Sequence, residues 1–170
     1  MQIRLGDMCV VTGMAYRRFV TASQREHHRF VADINPTSEH STRRYTPGDA
    51  LAVIAARCLS DDNGIKYTDA ANIIFNSGGV PAFFEAGRPE SFFVGAAEFA
   101  SPDDLNDRAR SHYPQGKNCS LSDWMSGADS FGGKPYRFVI LDLGGVYAQL
   151  ERNARSIGFG ITDMHDFISY

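Results

Sequence analysis

The sequence predicts an α+β fold in two parts, a helix-rich unit over residues 1–78 and a small mixed α/β unit over residues 79–170. Two observations predict it. Apolar residues recur at helical spacing through Leu51, Ile54, Ala55, Cys58 and Leu59, behind the start signal Thr46-Pro47-Gly48-Asp49. Tyr136–Leu143 (YRFVILDL) is dense in β-branched and aromatic residues, the composition of a strand.

The elements follow in order. Leu5–Val11 reads as a short helix with Leu5, Met8, Cys9 and Val11 on one side, broken by Thr12-Gly13. Met14 to about Arg25 is a second helix. Phe30–Ile34 alternates as a strand, Asn35–Ser41 is a polar turn, and Thr42–Tyr45 returns as a second strand. In the next helix Thr46 is the N-cap, Pro47 the first helical residue and Asp49 the third. It runs to about Leu59 and stops at Asp61-Asp62-Asn63-Gly64, and Thr68 opens a further helix to Phe75. Ser91–Phe99 predicts a strand, Pro102–Arg110 a short helix, and His112–Gly133 a long loop. After the 136–143 strand, Gly144-Gly145 leads into a helix over Val146–Ser156, and Ile157–Tyr170 is mixed.

Bulk composition excludes several classes of protein. Hydrophobic content of 43% and charged content of 22% are ordinary globular values. The chain has no apolar run long enough to span a bilayer and no basic-then-apolar leader, so a cytoplasmic, nucleoid-associated protein without membrane contact is expected. Cys9, Cys58 and Cys119 are too few and too scattered for a disulfide framework. Net charge is −3, but its distribution is uneven. Residues 1–45 hold seven arginines against four acids, whereas residues 76–170 hold eight basic residues against twelve acids. A basic amino-terminal third on an acidic body suits a protein that turns one face toward phosphates.

The order helix, turn, helix, hairpin, helix is that of a winged helix-turn-helix, in which the second helix enters the major groove. Here that helix opens Met14-Ala15-Tyr16-Arg17-Arg18. Arginine can fork onto phosphate or onto guanine O6 and N7, tyrosine can donate to phosphate, and alanine allows close approach.

Leu5-Gly6-Asp7-Met8-Cys9-Val10-Val11-Thr12-Gly13-Met14, followed by Arg43-Arg44-Tyr45-Thr46-Pro47-Gly48-Asp49, resembles the opening helix, Thr-Gly turn and wing end of the MerR family. Gly64–Ala70 is a looser echo of that family's next helix, and the resemblance covers about residues 3–76. It implies a DNA-binding transcriptional regulator, a repressor acting as a homodimer on double-stranded DNA, with no enzymatic activity. By resemblance the DNA-contacting set is Thr12, Ala15, Tyr16, Arg17, Arg18, Arg25, His28, Arg43, Arg44 and Tyr45. Val20-Thr21-Ala22-Ser23 stands where the family has an Arg-Tyr-Tyr-Glu type run, the wing segment is longer, and the family's long dimerisation helix has no counterpart. The carboxy-terminal part, through Tyr136–Leu143 and Val146–Ser156, is the expected dimer contact.

Other residues were weighed for chemistry. His27, His28 and His40 match no zinc spacing, so neither metal nor cofactor is expected, and a small-molecule effector is not indicated. Asp142-Leu143-Gly144-Gly145 resembles the strand-Asp-x-Gly-Gly openings of phosphate-handling enzymes, yet it lacks a second acid two positions on, and a strand turning into a packing helix is the simpler reading. Phe83, Phe84, Phe92, Phe93 and Phe99 form an aromatic middle section suited to core or to an interface. Two other functional classes stay open, a protein-binding module of the antitoxin or anti-activator type and a small hydrolase or phosphotransferase using Asp142 and the adjacent glycines, and within the DNA-binding class so does an excisionase-like architectural factor.

Overall fold

Seven consecutive residues, Ala50–Ala56, are buried on every side of one helix, and the rest of the protein is built around it. The computed structural model describes residues 3–24, 44–99, 110–117, 120, 122, 125 and 135–159. In chain order the elements are β1 (Ile3–Arg4), α1 (Leu5–Thr12), α2 (Tyr16–Gln24), β2 (Arg44–Tyr45), α3 (Pro47–Asn63), α4 (Tyr67–Ser77), α5 (Gly79–Glu85), β3 (Phe93–Phe99), β4 (Arg110–His112), β5 (Gln115–Gly116), β6 (Pro135–Asp142) and α6 (Leu143–Ser156). The architecture is α+β, and every pairing among the described strands is antiparallel.

The central helix α3 starts as its sequence dictates. Thr46 accepts from the Asp49 amide at 3.1 Å, and the Asp49 carboxylate accepts from the Thr46 amide at 2.8 Å, a reciprocal capping box. Its alanines at 50, 52, 55 and 56 let neighbouring helices approach closely, and α1, α4 and α6 pack against it. An all-round apolar helix is stable only when enclosed.

β3 is the centre of the larger sheet. β6 pairs along its whole length on one side, from Phe93 opposite Asp142 to Phe99 opposite Pro135. On the other side lie β4, against Ala97–Phe99, and β5, against Phe93 and Val94. Val94 and Ala96, with Val139 beside them, turn to the helices, where Val94 fills the space that a side chain at Gly79 would need. Phe83 gathers Phe84, Phe92 and Tyr147 around it at centroid distances of 5.3–5.8 Å. Of the aromatic middle section, Phe83, Phe92 and Phe99 are buried, whereas Phe84 and Phe93 are half-buried.

One cluster of buried hydrophobic residues runs from Ile3 to Ala154 and draws on the chain on both sides of position 78. Several element bounds differ from those expected. β2 pairs with β1, Ile3 opposite Tyr45, because two extended residues ahead of α1 offer a free edge. The expected strand partner over 30–34 lies outside the described residues, as does the helix expected over 102–110 except for Arg110, which opens β4. α4 begins after Lys66, and not at Thr68. The expected loop from His112 onward contains β5 and the end of β4, held by the edge of β3. α6 starts at Leu143, directly after the strand, and not at Val146.

That last start point explains Asp142. Its Oδ1 accepts from the Gly144 amide at 3.0 Å and from the Phe92 amide at 2.9 Å, so it caps α6 and fastens the helix start to the entry of β3. A Cβ at Gly144 would overlap the Glu90 carbonyl oxygen, so glycine is required for this close approach. The Asp-x-Gly-Gly run is a strand turning into a packing helix.

Candidate nucleic-acid interface

α1 and α2 are joined by Gly13-Met14-Ala15 in a geometry fixed by several independent contacts. Gly13 is left-handed (φ 63°), its amide donates to Val10 at 3.1 Å, and the Met14 amide donates to Cys9 at 3.1 Å. This is a Schellman ending, in which glycine avoids the Cβ penalty. Met14 is buried and anchors the turn. Two more carbonyls near the end of α1 receive side chains from distant helices. Arg57 on α3 donates to Gly13 O at 3.1 Å, and Asn153 on α6 donates to Val11 O at 2.8 Å. A cation at a helix carboxyl end is also favoured by the helix dipole.

α2 is held down through Phe19 and Ala22, which are 0% and 4% exposed. Phe19 meets Tyr45 edge-on at 5.4 Å, which sets β2 beside α2. With about 100° between successive residues, the direction opposite Phe19 and Ala22 falls within about 10° of Arg17 and Gln24 and about 50° of Thr21. All three are exposed. No acidic residue occurs in α2. The outward row therefore presents a guanidinium, a hydroxyl and a carboxamide.

The structure exposes some of the expected contact positions and buries others. Ala15, Tyr16, Arg17 and Arg18 are exposed, Tyr16 at 60%. Arg18 nevertheless leaves the outward row. Its guanidinium lies 3.3 Å from Asp61 Oδ1, reaches Ser60 Oγ at 3.4 Å, and sits over the Tyr67 ring at 5.3 Å. Tyr67 is partly buried, and this burial pushes the pKa of its phenol up, partly opposed by the arginine. Thr12 is a correction: its side chain is fully buried, and its hydroxyl donates to Met8 O at 2.7 Å. Tyr45 is another, since its ring is core at 2% exposure. Neither side chain reaches a surface from which to touch DNA. Arg25, His28 and Arg43 lie outside the described residues, and for Arg44 the backbone pairing alone is described.

Thr21 and Gln24 were missed in the sequence, although their spacing of four and seven from Arg17 places them on its face. Arg4 was missed too. The β1–β2 register sets Arg4 opposite Arg44, and Arg4 is exposed. Among the described residues, no three His, Cys, Asp or Glu side chains gather as a metal site, and no helix is long and apolar enough to cross a membrane. A scan against protein-family models and a search of curated proteins both find no match for this chain.

Proposed function

We propose that the protein is a sequence-selective, double-stranded-DNA-binding regulator of transcription that reads the major groove with α2. The observation that carries this reading is the acid-free outward row Arg17–Thr21–Gln24 on a helix whose approach angle is set by the Gly13 turn. Arginine pairs with guanine O6 and N7, glutamine with adenine N6 and N7, and threonine suits either a polar edge or a thymine methyl. The exposed Arg4 on β1 supports it, because a guanidinium there is available to a phosphate.

One nine-residue helix reads few base pairs, so two copies on adjacent half-sites are the natural working unit. Tyr136 and Ile140, exposed at 60% and 47% on β6, are apolar surface suited to the contact between copies. α6 contributes less than its sequence suggests, since Leu143, Val146, Tyr147, Leu150 and Ala154 are spent on the core. Occupancy of a promoter by such a pair is enough for repression.

Selection from a randomised duplex library tests the proposal. The expected result is enrichment of a defined motif, with binding of that motif lost in Arg17→Ala. Enrichment of no sequence, or equal binding by Arg17→Ala, would sink it.

A further inference from the structure

Arg18 is adjacent to Arg17 in sequence, but it points elsewhere in space. It lies about 110° from the outward direction of α2, on the flank facing the end of α3. There its guanidinium meets Asp61 and Ser60 and covers Tyr67, joining α2 to both α3 and α4. The end of α3 needs such a partner. Ser60, Asp61 and Asp62 fall in its last turn with no basic residue among them, and carboxylates at a helix carboxyl end oppose its dipole. Among the described residues, the buried positions of α2 are Phe19 and Ala22, both on one side, and an anchor on one side constrains rotation about the helix axis less than contacts in a second direction do. The Arg18 contacts act about 70° round the helix from that anchor and fix the rotation.

From this geometry we propose that Arg18 is a positioning residue and makes no contact with DNA: through Asp61 and Tyr67 it sets the rotation of α2 so that Arg17, Thr21 and Gln24 face the groove together. The inference rests on the reading of α2 as the DNA-reading helix.

The two possible roles of Arg18 differ in sign at Asp61. If Arg18 positions α2, Asp61→Ala weakens binding to the selected motif although it removes a negative charge near a polyanion. If Arg18 instead contacts phosphate, Asp61 competes for it, and Asp61→Ala tightens binding. The experiment measures duplex affinity against salt for the wild type, Arg18→Ala, Asp61→Ala, the double variant and the exchanged pair Arg18→Asp/Asp61→Arg, with circular dichroism to verify folding. The positioning role expects each single variant to bind several-fold more weakly, and the double to be no worse than either. It also expects the exchanged pair to recover most of the affinity, and the salt slope of Arg18→Ala to equal that of the wild type. A tighter Asp61→Ala, or a slope lowered by about one in Arg18→Ala, overturns the role while leaving the DNA reading intact. A wild type indifferent to duplex sequence overturns both.

Discussion

Arg57 on α3 donates through Nη1 to the carbonyl oxygen of Gly13, 44 positions earlier, at 3.1 Å. The bond ties the bend between the first two helices to the central one. Arg57→Ala leaves that carbonyl to water and frees the bend. Loss of about 1–2 kcal/mol of stability is expected in urea unfolding, the range for a charged hydrogen bond that is partly exposed. A larger proportional loss of DNA selectivity should accompany it in the duplex assay, and unchanged selectivity would detach the bend from reading.

The outward row of α2 and the β1–β2 pair should separate by kind of contact. Arg17→Ala and Gln24→Ala should each cost roughly 1–3 kcal/mol against the best duplex and relax preference at a single base position. Arg4→Ala should weaken all duplexes alike and lower the salt slope by about one. Selection repeated on each variant, with affinities taken over a salt series, gives both readouts.

Glycine replacements offer a test of the packing. At Gly6 on α1 nothing lies within 4 Å of an added Cβ, so Gly6→Ala should gain roughly 0.5–1 kcal/mol from helix propensity. At Gly144 the same methyl meets the backbone of Pro89 and Glu90, which cannot swing aside as a side chain tip can. Gly144→Ala should lose about 3 kcal/mol or more, at or beyond the upper end for overpacking. Thermal unfolding of the two variants side by side decides the matter, and equal melting temperatures would contradict the packing around α6.

Stability should fall on the alkaline side. Burial raises the Cys58 thiol, partly offset by Arg57, and raises the Tyr67 phenol, partly offset by Arg18. Both groups keep their protons more firmly when folded than when unfolded. Their contribution is complete below the ordinary values, 9.0 for the thiol and 10.0 for the phenol, and is lost as pH climbs past them. Urea midpoints should hold steady near neutrality and decline above pH 9.0, where Cys9 is raised by burial as well, and Cys58→Ala should make the decline shallower.

How much of this was legible in the sequence depended on whether the cause was local. The α3 start was readable at Thr46, Pro47 and Asp49 because a capping box is made by residues three apart. The Gly13 bend was readable for the same reason. β4 and β5 were not, since strands of three and two residues carry no alternation and exist because the edge of β3 offers them hydrogen bonds. The pairing of β1 with β2 joins positions 3 and 45, which no window along the chain can see. In the candidate site, Tyr16, Arg17 and Arg18 were grouped because they are consecutive, yet a helix sends consecutive side chains in three directions. Thr12 matched a motif by identity, but its place at the end of α1 turns it inward, onto Met8.

The amide of Asn153 holds Val11, and 142 positions separate them. During synthesis the first helix therefore leaves the ribosome long before the residue that secures it has been made. The same holds for α3, one flank of which stays open to water until α6 emerges. Closure of this fold thus depends on contacts between segments far apart along the chain, the kind of topology that slows folding relative to one built from local contacts.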